Sequence, residues 1–478
     1  MFDDVRKHWW ALYVLCSGVL MIVLDTTIVN VALPSIREDL HFTETSLVWV
    51  VNAYMLTFGG FLLLGGRLGD LFGPRRLFLL GLVFFTLASV GCGLASSQGM
   101  LIVARALQGL GGAVVTAVAL SLIMTLFTGN SDRAKAMGIY GFVCSAGGSI
   151  GVLLGGFLTT ALNWHWIFLV NVPIGVLVYL ASARLLPPDR TQEQRPRLDY
   201  AGAVTVTASM MLAVYAIVNG SQLGWTSTQT IGLLGTSLAL LIGFLVIEMR
   251  VRDPLMPLAL FKLRNVATAN VVGVLWAAAM FAWFFISALY LQLVLGYNAM
   301  QVGLSFLPAN LIMAAFSLGL SAKIVMRFGF RGPLAAGLLI AAAGLAWFSR
   351  APLAGDFLVD VLPGMVLLGI GAGIAFNPLL LGAMSDAGPE QSGLASGLMN
   401  TAFMMGGSLG LAVLASLAAG RTAGLAESGA SAVTALNGGY QLAFVLGAAS
   451  AATAAFIGGS FMRTRTVPTA AAAATHQA

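Results

Sequence analysis

The feature that most constrains the fold of this chain is a recurring run of about 20 mostly apolar residues, the length at which an α-helix crosses the hydrocarbon core of a bilayer. We mark fourteen such runs: Trp9–Leu33, Ser46–Gly65, Leu77–Ala95, Met100–Phe127, Ala136–Leu162, Ile167–Leu186, Ala201–Asn219, Thr230–Ile247, Val266–Leu295, Val302–Val325, Pro333–Phe348, Leu358–Leu381, Leu394–Ala419 and Tyr440–Phe461. They predict an all-α, polytopic membrane protein with fourteen transmembrane helices.

The charged residues support this prediction. Only 9% of the 478 residues are charged, against about 25% in soluble domains. If the amino terminus is cytoplasmic, twenty of the 24 Lys and Arg residues fall in cytoplasmic segments or at the cytoplasmic ends of runs, three in external loops and one, Arg105, deeper within a run. The positive-inside rule explains this asymmetry and predicts that both termini are cytoplasmic. Because the positive residues are spread over short loops, the net charge of +6 does not indicate nucleic-acid binding.

Three short patterns recur in the same order about 260 residues later in the chain, which indicates duplicated halves. Residues 66–73 match 322–329, 109–111 match 369–371, and 147–151 match 406–410. Such repeats are typical of secondary transporters, which bind substrate near the bilayer midplane between the halves. We predict an amino-terminal six-helix half over residues 1–186, a linker with two inserted helices over 187–265, a carboxyl-terminal half over 266–462 and a cytoplasmic tail over 463–478.

An acid lies within the first run. An ionisable residue at the bilayer centre costs about 2.5–3.5 kcal/mol, so Asp25 is expected to face the bundle interior or a water-filled cavity, as a functional group or as a structural acid bonded to a neighbouring helix. Arg105 lies at a comparable depth, roughly 8 Å from the external end against roughly 13 Å for Asp25. We predict a coupled Asp25–Arg105 pair, with an arginine that extends to the interface as the alternative.

The loop between the second and third runs combines glycines, an acid and basic residues. Gly66 and Gly73 permit a tight turn, Asp70 can accept hydrogen bonds, and Arg75 and Arg76 hold the turn at the headgroups. This loop resembles the signature loop of the major facilitator superfamily. The resemblance implies the fold of that superfamily, here with two extra central helices between two six-helix halves. It also implies a gating role for the acid.

The fifth run carries Gly147, Gly151, Gly155 and Gly156, whose spacing lets another helix approach closely. This pattern resembles the antiporter motif of exporters in the superfamily, and the stretch around Arg105 is similar to a superfamily motif associated with proton transfer. Residues 24–34 and 164–175 resemble the fourteen-helix drug:proton antiporters. These resemblances imply proton-driven multidrug efflux of lipophilic or cationic compounds across the cytoplasmic (inner) membrane, and with it antibiotic resistance.

Polar and aromatic residues within the runs are candidates for a substrate cavity. Aromatic rings give apolar and cation–π contact with planar or cationic ligands, although they more often pack between helices or face lipid. The candidates are Asn30, Gln108, Trp276, Phe281, Phe284, Tyr290, Asn310, Asn377 and Asn400. We expect no acid within the last six runs, so that one deep carboxylate favours monovalent cations or neutral amphiphiles over divalent compounds.

The working hypothesis is alternating access, in which Asp25 takes up a proton from outside and releases it inside while the two halves move substrate outward. Burial favours the neutral acid and Arg105 favours the carboxylate, so the balance sets when Asp25 is protonated.

Other features argue against an enzyme, an ATP-driven pump or a metalloprotein. The three cysteines lie within runs, no Cys/His spacing fits zinc, and the G-x-x-x-x-G-K phosphate loop is absent. We expect no cofactor and no metal, a monomer surrounded by membrane lipid, and no nucleic-acid partner; the need for an accessory protein stays open.

The strongest alternative function is that of an uptake carrier or facilitator for a polar metabolite. A receptor or sensor is a further alternative.

Overall fold

The computed structural model describes residues 2–127, 130–189, 199–252, 254–387 and 391–463, and every regular element within these residues is helical. The membrane helices are α1 (Phe2–Leu40), α2 (Glu44–Phe72), α3 (Pro74–Gly93), α4 (Gln98–Leu126), α5 (Asn130–Ala161), α6 (Trp166–Leu185), α7 (Tyr200–Leu223), α8 (Thr228–Arg250), α9 (Arg264–Val294), α10 (Ala299–Ala315, continued by Phe316–Leu320 and Ser321–Phe328), α11 (Arg331–Phe348), α12 (Phe357–Met384), α13 (Ser392–Glu427) and α14 (Ala432–Phe461). Each predicted run coincides with one of them. Within the described residues thirteen are long and apolar enough to cross a membrane, and Ala299–Ala315 of α10 is a shorter apolar helix. This confirms the predicted fold class. Residues 190–198 of the predicted linker and 464–478 of the predicted tail lie outside the described residues.

Short polar caps start several helices, and the loops before them are short. Thr43 Oγ1 accepts a hydrogen bond from Ser46 N at 3.1 Å at the start of α2. Asn298 Oδ1 accepts one from Gln301 N at 2.9 Å at the start of α10. Such caps satisfy backbone amides that have no partner within the helix, so consecutive helices reverse direction within a few residues.

The first helix is longer than predicted. α1 continues through Pro34 to Leu40, so the expectation that it ends near Leu33 is wrong. Proline is tolerated in membrane helices because neighbouring groups satisfy the freed backbone. Two contacts hold the added turns: Trp164 Nε1 donates to Asp39 Oδ2 at 2.9 Å, and Arg37 lies 3.5 Å from Glu44.

The tenth helix is interrupted, although the sequence predicts a continuous run over Val302–Val325. A π-helical turn occupies Phe316–Leu320, and Gly319 within it has φ of 126°. Glycine adopts this backbone conformation readily, whereas other residues would be strained in it. The helix is therefore interrupted at a glycine.

The first six and the last six helices pack with the same pattern of contacts. In the first set, α1 packs against α5 and α6, while α4 packs against α2 and α3; in the last set, α9 packs against α13 and α14, while α12 packs against α10 and α11. The two sets meet where α2 contacts α13 and where α5 contacts α10. Equivalent contacts in the two sets are the packing expected of a duplicated six-helix unit.

The inserted pair, α7 and α8, packs against the side of this bundle. Ser209 Oγ donates to Ser237 O at 2.7 Å and Ser237 Oγ donates back to Ser209 O at 2.8 Å, which joins the two helices. α7 contacts α2 and α13, and the lack of a side chain at Gly60 makes room for Thr207 of α7. Among the described membrane helices α8 is the least buried, so it lies outermost.

Candidate functional site

A closed polar network surrounds Asp25 inside the first six-helix set. The side chain of Asp25 is 0% exposed and that of Arg105 is 1% exposed, and Arg105 Nη1 donates to Asp25 Oδ2 at 2.5 Å. Asp25 Oδ1 accepts from Gln108 Nε2 at 2.7 Å and from Asn171 Nδ2 at 2.9 Å. The structure therefore brings the two predicted residues together as a buried ion pair, and the alternative of an arginine that extends to the interface is wrong.

The guanidinium of Arg105 is fixed by further partners. Its Nε donates to Val50 O at 2.9 Å and its Nη1 also donates to Gln108 Oε1 at 2.7 Å. The Tyr54 ring lies 4.4 Å from Arg105 Cζ, a cation–π distance. Because a buried charge without a partner is costly, these contacts account for an arginine that is held inside the membrane region.

Gln108 links the ion pair to a third helix. It lies one helical turn after Arg105 on α4, so both side chains point to the same side. Its Nε2 also donates to Ser89 Oγ at 2.8 Å, and Cys92 Sγ lies 3.5 Å from its Oε1. The sequence placed Gln108 among the substrate-cavity candidates, whereas the structure places it, fully buried, in the Asp25 network.

Asn171 is a member of the network that the sequence analysis did not select. It lies at the point where α6 resumes after the short Trp166–Leu169 segment, and it is 1% exposed. The available signal was an amide within an apolar run, since a buried amide needs partners. The network therefore draws side chains from α1, α3, α4 and α6 and a backbone oxygen from α2.

The glycines of α5 lie against the segment of α1 that carries Asp25. A Cβ atom added at Gly151 would lie 3.0 Å from Leu24 O, and one at Gly155 would lie 2.6 Å from Ile28 O. At Gly147 the added Cβ atom would instead meet the side chain of Val23, at 2.8 Å from its Cγ1. These glycines let α1 and α5 approach to backbone contact, which fixes the position of Asp25 relative to α5.

The other side of α5 faces the last six-helix set. A Cβ atom at Gly156 would lie 2.7 Å from Ala299 O of α10, and one at Gly303 of α10 would lie 2.9 Å from Val152 O. α5 thus connects the Asp25 helix to the second set by backbone contact on two sides.

The predicted gating loop is a tight connection in which α2 ends and α3 begins. Gly73 has φ of 92°, a left-handed conformation that favours glycine. Asp189, after α6, accepts from Arg75 N at 2.8 Å and from Arg76 N at 3.1 Å. These are the first amides of α3, so Asp189 caps that helix, a role that no local sequence pattern indicates.

The remaining residues of this loop are placed as follows. Gly66 lies in α2 near Ala117 of α4, and the Arg75 guanidinium donates to Ala183 O. Asp70 lies in the last turns of α2, but its side chain is outside the described part of the structure, so its predicted gating role stays a prediction.

The other substrate-cavity candidates occupy different environments. Asn30 is buried, with its Nδ2 3.3 Å from Thr27 O of its own helix. Buried among packed side chains are Trp276, Phe284, Tyr290 and Asn310, whereas Phe281 and Asn377 are half-buried and Asn400 is exposed. Their predicted role in substrate binding stays a prediction.

The expectation of no acid within the last six runs is wrong, because Asp360 lies in the π-helical first turn of α12. Its Oδ2 accepts from Asp356 N at 2.8 Å, so this acid caps the end of the helix and is not deep in the bundle. Among the described residues no group of three His, Cys, Asp or Glu side chains is arranged to hold a metal ion.

Comparison with known proteins gives one family over most of the chain. The family described as Major Facilitator Superfamily matches residues 15–411. The puromycin resistance protein pur8 of Streptomyces alboniger is 39% identical over 91% of this chain and 88% of its own length. The cephamycin export protein CmcT of Amycolatopsis lactamdurans is 41% identical over 87% of this chain and 86% of its own length.

A more distant relative and a solved structure agree with this result. The tetracenomycin C resistance and export protein of Streptomyces glaucescens is 34% identical over 87% of this chain and 77% of its own. A crystal structure of an auto-inhibited peptide transporter of the POT family superposes with a TM-score of 0.66 at 17% identity, covering 97% of this chain and 98% of that one. At this identity the match shows a shared fold alone.

Proposed function

The chain belongs to the Major Facilitator Superfamily, and from that premise we propose that this multi-pass membrane transporter is a proton-coupled antiporter that exports amphipathic, antibiotic-like compounds. The three relatives described above are named for resistance to, or export of, puromycin, cephamycin and tetracenomycin C. These compounds indicate the class of cargo rather than the cargo itself.

The observation that carries the proton coupling is the buried Asp25–Arg105 pair. The carboxylate accepts three hydrogen bonds from donors on two other helices, which is the bonding of an ionised acid. Adding a proton to Asp25 cancels its charge and leaves Arg105 without a counter-charge in a site closed to water. Helices α1, α4 and α6 must then rearrange, so that proton binding biases the transporter between its conformations.

The contacts between the two sets support an arrangement that is closed at one end. Gln292 Nε2 of α9 donates to Val31 O of α1 at 3.0 Å, near the end of the bundle that holds Asp39. The backbone contact of Gly156 with Ala299 lies toward the same end. We assign this end to the external face and the Gly73 end to the cytoplasm, in keeping with the positive residues of the loops.

Transport by everted membrane vesicles tests this function. When respiration acidifies the vesicle interior, we expect ethidium, a lipophilic monovalent cation, and puromycin to accumulate inside, and an uncoupler to abolish accumulation. Asp25→Asn is expected to abolish gradient-driven accumulation while the protein stays in the membrane. The control is Asp39→Asn on the same helix, which keeps an oxygen that accepts the bond from Trp164.

Two results would contradict the proposal. Gradient-driven accumulation that persists in Asp25→Asn would remove this acid from the coupling step. Movement of a polar metabolite in the opposite direction, with no effect on ethidium or puromycin, would support the uptake carrier instead.

A further inference from the structure

A cavity lies between the inserted pair and the two six-helix sets, away from the Asp25 network. It encloses about 480 Å³, within the range of about 300–1,000 Å³ typical of sites for drug-sized ligands. Its walls come from the connection between α8 and α9 and from five helices, represented by Leu63 of α2, Met210 of α7, Leu241 of α8, Leu275 of α9 and Met405 of α13. An occupant would therefore touch both six-helix sets and the inserted pair at once.

The cavity opens to the outside of the bundle between α8 and α9. Leu245 of α8 and Val271 of α9 both line it, and their side chains are 37% and 49% exposed. Since exposed apolar side chains on these helices face lipid, the opening leads into the bilayer. A molecule that reaches the cavity by this route is one that dissolves in the membrane.

Two polar atoms in the wall lack a partner among the described residues. Asn270 is 4% exposed, and its Nδ2 donates to Val266 O at 2.8 Å, which leaves Oδ1 as an unsatisfied acceptor. Thr401 Oγ1 is buried without a hydrogen bond as well. A buried polar atom without a partner costs free energy, so a ligand group that bonds to these two atoms would be stabilised here.

The two polar residues lie at the same level of the bundle. Gly406 of α13 lies against Val274 of α9, and Gly410 lies against Ala278, so the two helices run in step. One turn earlier, the same offset places Asn270 level with Ala402, the residue next to Thr401. Both residues line the cavity, so they supply polar atoms at nearly the same level of its wall.

We propose that this cavity binds a neutral amphiphile taken from the bilayer, with an apolar body and an amide-like or hydroxyl head group that donates to Asn270 Oδ1 and bonds to Thr401 Oγ1. The cavity lining contains no charged side chain, so a charged head group would be buried without a counter-charge. The inference concerns binding alone and does not depend on export or on proton coupling.

Photolabelling of the purified protein in phosphatidylcholine nanodiscs tests the site. The probe is a long-chain primary amide with a diazirine in its chain. We expect labelled peptides from α8 and α9, and competition by the unlabelled amide.

Two tryptophan variants of α8 test where the probe binds. Leu241→Trp fills the cavity and is expected to lower labelling at least about fivefold. Leu238→Trp lies one turn earlier on the outer face of α8, where Leu238 is 57% exposed, and is expected to leave labelling unchanged. Val206→Trp fills the cavity from α7 and replaces Leu241→Trp if that variant does not fold.

The head group is tested separately by Asn270→Leu. Loss of the acceptor is expected to weaken binding of the amide about tenfold, and to leave binding of the corresponding methyl ester, which has no donor, unchanged. Equal labelling of the Leu241→Trp and Leu238→Trp variants would overturn the site. A diazirine phosphatidylcholine that labels the same peptides and is not displaced by the amide would show a lipid-filled gap, and would overturn the proposed ligand.

Discussion

Arg105 of α4 neutralises Asp25 of α1, and both side chains are buried away from solvent. Arg105 also donates to Val50 O and to Gln108 Oε1, and Gln108 in turn donates to Ser89 Oγ, so the two charged groups have further hydrogen-bond partners. Buried ion pairs of this kind are often no more stable than an apolar replacement, but removal of one partner is costly because the other charge remains buried. Stability alone therefore does not account for the pair, which agrees with the role in proton coupling proposed above.

Arg105→Met is expected to lower the free energy of unfolding by about 3–5 kcal/mol, because it leaves the Asp25 carboxylate buried without a counter-charge. The double variant Asp25→Asn, Arg105→Met is expected to lose less than this single variant. Unfolding by dodecyl sulfate of protein purified in mild detergent measures these two variants and Asp25→Asn alone, which completes the cycle. Additive losses in the double variant would show that the two residues are not coupled.

Gly155→Ala places a methyl group 2.6 Å from Ile28 O, where the backbone of α1 cannot move aside freely. We expect a loss of about 1–3 kcal/mol in stability, as for other overpacked positions, and a lower transport rate because α1 is displaced. The control is Gly148→Ala on the same helix, where a Cβ atom would meet nothing within 4 Å. Since alanine favours helix over glycine by roughly 0.5–1 kcal/mol, this control is expected to be neutral or stabilising. Equal effects of the two variants would contradict the close-approach argument.

The sequence was sufficient to predict where the helices lie and which two charged residues belong to the site. Charge in an apolar run is costly wherever the helix packs, so Asp25 and Arg105 could be recognised without a structure. The hydrogen-bond partners of these two residues could not be predicted in this way, because they depend on which side chains meet after the helices pack. Asn171 and Asp189 are both far along the chain from the groups that they bond, and no local spacing identifies either residue. For the same reason Gln108 could be recognised as a buried polar group but not assigned to Asp25.

Asp189→Ala tests the connection between α6 and the start of α3. Loss of the cap is expected to cost about 0.5–2 kcal/mol, since the carboxylate accepts from both Arg75 N and Arg76 N. If this turn moves during transport, the variant is expected to change the transport rate more than the stability loss predicts. Asp132→Ala is the control, because that acid is 57% exposed and forms a surface ion pair with Lys135, which contributes little. A transport rate unchanged in Asp189→Ala would argue against a gating role for this turn.

Asn171→Leu tests whether the amide on α6 belongs to the functional site or only to the packing around it. The substitution keeps the size of the side chain and removes one of the two donors to Asp25 Oδ1, so we expect a loss of about 1–3 kcal/mol in stability. Transport is expected to fall as well, because the carboxylate loses its link to α6 and protonation no longer moves that helix. Asn219→Leu is the matched control, since Asn219 Nδ2 donates to Tyr215 O of its own helix at 2.9 Å. Vesicle accumulation of ethidium, corrected for the amount of protein, compares the two variants. If Asn171→Leu loses stability but keeps the wild-type transport rate per molecule, α6 takes no part in the coupling, and only α1 and α4 respond to the proton.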